Sequence, residues 1–177
     1  GLRIVATQRE EAGYIDRFPE SYYADPSSAQ LSDENVNETD TSSIRVALRW
    51  PPTDNLAITP TFYYQDTNAA SNGTADIAVG DFVQVRPFDE PQTAEDTYYN
   101  LLVEYDLGFA DLISSTSYLD RVVQRRDDAS AFLSTVLRIP LPILLANTDS
   151  DIDNFTENPN EIFVQEVRLQ SNNDSPF

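Results

Sequence analysis

Two rhythms limit what this chain can fold into. Side chains change character at every second residue, and connections between the alternating segments are by turns long and short. Over 43–50, Ile44, Val46, Leu48 and Trp50 fall on one face and Arg45, Ala47 and Arg49 on the other. Over 97–106, Tyr99, Leu101, Val103 and Tyr105 oppose Asn100 and Glu104. Over 161–171, Phe163, Val167 and Leu169 oppose Val164, Glu166 and Arg168. Further strands are expected at 2–9, resuming at Gly13-Tyr14-Ile15, at 55–66 and at 110–122. Pro60 sits awkwardly within 55–66, because proline brings no N–H to a ladder.

The connections sort into two kinds. Pro51-Pro52-Thr53-Asp54 and Asp106-Leu107-Gly108-Phe109 read as compact turns. Between them lie long stretches, at about 18–40, 67–96 and 123–160. Soluble domains seldom carry structureless loops beyond about 12–15 residues. Outer-membrane barrels do so by rule, with short periplasmic turns and long extracellular loops, and their tilted strands need about 9–11 residues to cross. The expected fold is therefore all-β: antiparallel up-and-down strands forming part of a transmembrane β-barrel. Trp50, Tyr105 and Phe109 would mark one membrane surface, and Tyr63, Tyr64, Tyr98, Tyr99, Tyr118 and Phe163 the other.

Composition removes several function classes. The chain has 177 residues, no Cys and no His, and a formal net charge of -19. All 11 basic residues are arginines. Thiolate chemistry, a Ser-His-Asp triad and an ordinary zinc site are excluded. Such an acidic chain would repel a phosphate backbone, so no nucleic-acid partner is expected. No leader pattern stands at Gly1, and the longest apolar run, 139–146, is interrupted by Pro140 and Pro142 and is too short for a membrane helix. Adjacent carboxylates such as Asp127-Asp128 do not place an acid and a base around a substrate, and an enzyme is not expected.

Five phrases point to a family. They are 47–56 (Ala-Leu-Arg-Trp-Pro-Pro-Thr-Asp-Asn-Leu), 103–112 (Val-Glu-Tyr-Asp-Leu-Gly-Phe-Ala-Asp-Leu), 165–171 (Gln-Glu-Val-Arg-Leu-Gln-Ser), Gly13-Tyr14-Ile15-Asp16 and Thr116-Ser117-Tyr118. Together they resemble the barrel of TonB-dependent outer-membrane receptors, particularly paralogues of the sphingomonad type. The resemblance implies a plugged barrel of about 22 strands, of which 1–177 would supply about six. It implies energy-coupled uptake of a scarce ligand of the siderophore, cobalamin or saccharide class across a Gram-negative outer membrane. The implied partners are membrane lipid and lipopolysaccharide, the receptor's own plug and remaining strands, the inner-membrane TonB machinery and the small-molecule ligand. The chain reads as a fragment: no plug or coupling box is recognisable, and Phe177 follows a turn-like Asp174-Ser175-Pro176 rather than closing a strand. A soluble extracellular β-sandwich that binds carbohydrate and a passive porin remain open.

Candidate site residues follow from this frame. Arg45, Arg49, Glu104, Glu166 and Arg168 lie opposite the apolar sets and would face the lumen, as solvated wall charges or as ligand contacts. Tyr22, Tyr23, Phe82, Phe88 and Phe132 are loop aromatics, a type that often carries binding energy. The first long loop holds Glu20, Asp25, Asp33, Glu34, Glu38 and Asp40 with no base. The second sets Asp76, Asp81, Asp89, Glu90, Glu95 and Asp96 against Arg86 alone. Such loops would draw cations, or simply stay solvated. Asp149, Asp151 and Asp153 resemble the start of a calcium loop, but Asn154 replaces its glycine and Glu161 comes one residue late. No other cofactor is expected. The apolar run 139–145 reads as loop packing or a contact for an apolar ligand.

Overall fold

A computed structural model describes residues 1–171 apart from 24, 28, 139 and 141–151. Six long strands build one sheet: β1 (Leu2–Glu11), β3 (Thr39–Leu48), β5 (Leu56–Ala69), β7 (Gln92–Asp106), β8 (Ala110–Asp128) and β9 (Asp153–Ser171). They lie side by side in chain order, each antiparallel to the next. The fold is thus an all-β meander, as the alternation predicts. The sheet is open, with β1 and β9 at its edges.

All short connections fall at one end of the sheet and all long ones, 12–38, 70–91 and 129–152, at the other. Between β7 and β8, Gly108 takes a left-handed φ of 85° and donates its N–H to Asp106 Oδ1 at 2.6 Å. Only glycine adopts that backbone without steric cost. The Pro51-Pro52 segment differs from the expected turn. Residues Trp50–Thr53 form a short strand, β4, folded back along β5, and the reversal itself falls at Asp54 and Asn55. Pro60 is accommodated by the same feature. On that side of β5, pairing with β3 stops at Thr61 and pairing with β4 resumes at Ile58, so the proline sits in a gap between ladders.

The strands outrun the expected limits. β5 continues to Ala69, β7 starts at Gln92, β8 reaches Asp128 and β9 starts at Asp153. The second aromatic band therefore lies mid-strand rather than at strand ends. Nor are the loops structureless. β2 (Asp16–Phe18) and β6 (Val83–Val85) form a parallel pair, Glu20–Tyr23 make a 3-10 turn, and Ser130–Leu137 form helix α1. Gly13-Tyr14-Ile15 does not resume β1; it turns the chain into this loop layer. The small core of the layer includes Ile15, Val36 and Val85, all buried.

The sheet has two unlike faces. Register places Leu2 and Ile4, Val46 and Leu48, Ile58 and Phe62, Tyr99 and Leu101, and Val167 and Leu169 on one of them. Many of these are open to the surroundings, Leu2 by 64% and Val167 by 63%. Arg3, Arg45, Tyr98, Asn100, Glu104, Ser115, Ser117, Glu166 and Arg168 share the other face.

Candidate functional site

The loop end of the sheet is where charge, burial and a cavity coincide. Arg17, at the centre of β2, is 8% exposed and bridges two loops, donating to Asp33 and to Asp89 at 2.6 Å each. Arg86, just past β6, donates from Nη1 to Asp76 at 2.9 Å and from Nε to Glu90 at 3.1 Å. Burial works against both guanidinium charges, but the paired carboxylates more than offset it and hold both pKa values above the ordinary arginine range. Glu90, 2% exposed, also accepts from Asn72 Nδ2 and from the Asp128 N–H at 2.6 Å, which ties the second loop to the end of β8. Asn37 Oδ1 accepts the N–H groups of Tyr14 and Ile15 at 2.8 Å, fixing the chain as it enters the first loop.

These contacts revise the picture of partnerless acidic loops. The base for the first loop is Arg17, one residue outside the stretch counted as loop, and Arg86 pairs with two carboxylates at once. Neither pairing was readable from spacing: 86–90 is not a helix, so a four-residue spacing of Arg86 and Glu90 carries no signal, and Asp89 lies 72 residues beyond Arg17.

Beside this lattice lies a cavity of about 660 Å³, lined by Arg86, Glu90, Arg125, Asp127, Asp153 and Asn154 among others. Arg125 donates from Nε to Asp127 at 2.6 Å. Arg126 donates from Nε to Asp153 at 2.8 Å and lies 4.0 Å from the centre of the Phe88 ring. Of these cavity residues, Asp153 was a site candidate from sequence, as a calcium ligand; the others were not. A second hollow, about 410 Å³, opens beside Pro60 and is lined chiefly by the apolar face, including Val46, Phe62, Tyr99, Leu101 and Tyr118.

The sequence candidates fare unevenly. Arg45, Arg49, Glu104, Glu166 and Arg168 do share the polar side. Arg49 pairs with Glu104, Arg168 pairs with Glu166, and Arg45 lies beside Tyr63 and Tyr98. Exposed pairs of this kind stabilise by about 1 kcal/mol at most. Among the loop aromatics, Tyr22, Phe82 and Phe88 each have a different neighbour. Tyr22 packs on Phe18 at 5.2 Å, Phe82 meets Tyr14 edge-on at 5.7 Å, and Phe88 is covered by Arg126. Tyr23 ends the 3-10 turn and Phe132 lies in α1.

Asp149 and Asp151 lie outside the described residues, as does nearly all of the 139–145 run. Asp153, the described member of the calcium motif, is committed to Arg126. Among the described residues no cluster of three or more carboxylates is arranged to hold a metal. No helix among them is long and apolar enough to cross a membrane, which leaves strands untouched. Comparison with family profiles, curated proteins and solved structures returned no match.

Proposed function

We propose that this chain is a wall segment of an energy-coupled outer-membrane receptor of the TonB-dependent kind. Its six long strands cross the bilayer, and its three long connections stand outside the cell. The observation that carries the proposal is the vertical order of side chains on the apolar face. From the short-turn end, Leu56, Ile58 and Pro60 on β5 lead to Phe62 and Tyr64. Phe62, Tyr99, Tyr118 and Phe163 make one aromatic row across four strands. Beyond this aromatic level the same face turns acidic, with Asp66, Glu95, Asp120 and Glu161.

That order suits a hydrocarbon slab ending at a headgroup layer. Leu56 to Tyr64 spans about 27 Å along the strand at ~3.4 Å per residue. At a tilt of about 40° this gives roughly 21 Å of height, near the ~25 Å apolar band of such barrels. A sandwich would need a second large sheet over these residues; the other sheet among the described residues has two strands of three residues each. The choice of receptor over porin rests on the resemblance of 47–56, 103–112 and 165–171. On this reading the wall charges line the lumen and meet the plug, lipid and lipopolysaccharide cover the apolar face, and the loops receive the ligand.

The chain contains no cysteine, so single cysteines are clean reporters. In the intact protein in outer membranes, cysteines replacing Asn100 and Glu104 are expected to react with a water-soluble maleimide. Cysteines replacing Leu101 and Val103 should react only with a lipid-soluble one. Equal reaction at all four positions rejects the membrane assignment. Capture of the purified periplasmic domain of TonB separates the receptor from a porin, which would not bind it.

A further inference from the structure

Arginines on the polar face of the sheet are of two kinds. Arg9, Arg49, Arg121, Arg125 and Arg168 each meet a carboxylate. The guanidinium groups of Arg3 and Arg45 meet none and make no hydrogen bond among the described residues. Both side chains are exposed, and they stand on adjacent strands. Arg45 lies opposite Val5, two residues along from Arg3, which makes the two cations diagonal neighbours about 7–8 Å apart. Like charges so placed repel each other. In a chain with a formal net charge of -19, two adjacent unmatched cations are the exception.

Their immediate surroundings are neutral. Tyr63 stands opposite Arg45, and Tyr98 stands opposite Tyr63. The Tyr63 hydroxyl donates to Gln65 Oε1 at 2.5 Å, and the Tyr98 hydroxyl shares a hydrogen bond with Ser117 Oγ at 3.0 Å, which holds both rings in place. Arg45, Thr61 and these two tyrosines line a hollow of about 270 Å³. That is below the roughly 300–1,000 Å³ of sites that enclose a free small ligand. A free anion would also approach against the field of a strongly acidic chain. A carboxylate on a protein segment is held at the face by the segment's other contacts, at an effective concentration that a free anion lacks.

We propose that Arg3 and Arg45 are the docking point for a carboxylate-bearing protein segment that packs on the polar face. A guanidinium offers a planar fork of N–H donors, which a carboxylate meets with both oxygens. The hollow beside Arg45 has room for one Asp or Glu side chain. Arg49, Glu104, Glu166 and Arg168 are already matched within the sheet, so the docking falls on the β1 and β3 side. Only the identity of the segment rests on the receptor reading, where it belongs to the plug. The sign of the charge it must present follows from the sheet alone.

The test is carbodiimide coupling, which joins an amine to a carboxylate in direct contact, on the intact protein in outer membranes. Residues 1–177 contain no lysine, so Arg45→Lys places a single lysine amine on the sheet. Digestion and mass spectrometry are expected to find residue 45 joined to an Asp or Glu outside 1–177. Arg49→Lys is the control and should join to Glu104 within the sheet. A residue 45 that stays unjoined where the control joins, or that joins only within 1–177, overturns the inference. So does coupling at 45 that falls at least tenfold in sulfate against chloride of the same ionic strength, which assigns the arginines to a free anion. A join to a separate polypeptide keeps the docking point and rejects its assignment to the plug. A join in a protein that fails the cysteine-labelling test keeps the docking point and rejects only the receptor reading.

Discussion

Arg86 is shielded from water on most of its surface and keeps its charge because two carboxylates meet it. Replacing it with Met leaves Glu90, whose side chain is 3% exposed, with no cation. Stranding a buried charge in this way costs about 3–5 kcal/mol. Hydrogen exchange should report it as lost protection in 70–91 and at the Asp128 N–H, with β1 and β3 unaffected. The raised pKa of Arg86 and Arg17 fixes the sign of their pH dependence. A group held above its ordinary value stabilises fully below that value and loses the contribution only as pH climbs through the raised one. Neither arginine therefore sets an alkaline limit between pH 7 and 10, and loop protection due to them should be constant over that range. Gly13 has a different constraint. A Cβ there would stand 1.8 Å from the Asn35 carbonyl oxygen, which is backbone and cannot swing aside. Gly13→Ala should cost about 1–3 kcal/mol by overpacking, read as faster exchange in the loop at 12–38.

At the level of elements, each long strand carries a two-faced message. Leu101 and Asn100 are neighbours in sequence but point to opposite media on the receptor reading. Arg at a lipid-facing midplane position costs about 2–4 kcal/mol, so Leu101→Arg should impair refolding into bilayers while Asn100→Arg does so far less. Equal effects would mean that neither face meets hydrocarbon. The alternation that made this legible also explains where sequence reasoning stopped short. The reading of β8 ended at Val122 and that of β9 began at Glu161, because the outer parts carry polar residues on both faces. Arg125, Arg126, Asp127 and Asp128 show no apolar side, and neither do Asn154, Glu157, Asn158 and Asn160. Those residues pair all the same, Arg125 with Thr156 and Arg126 with Phe155, held by the ladder rather than by burial. The Pro51-Pro52 strand was missed for a related reason: turn chemistry is local, whereas the pairing of Trp50 with Ile58 is decided by the partner.

At the level of the whole molecule, the first two loops form a layer rather than separate tethers. Arg17 joins the first to the second, and Glu90 ties the second to the end of β8. Nothing local in the sequence marks such links, since their partners lie 16, 38 and 72 residues apart. Arg17→Met should leave the sheet intact and loosen the layer, with proteolysis speeding up within 12–38 and 70–91 and not between β7 and β8. Unchanged cleavage would mean that the layer is held by its small core alone. The count of long strands has a separate consequence. Six long strands are an even number, so the polypeptide returns to the end of the sheet it set out from: Gly1 and Ser171 both lie where the tight reversals are. On the receptor reading, Gly1 and Ser171 therefore face the same compartment, and a label placed at one reports the sidedness of the other.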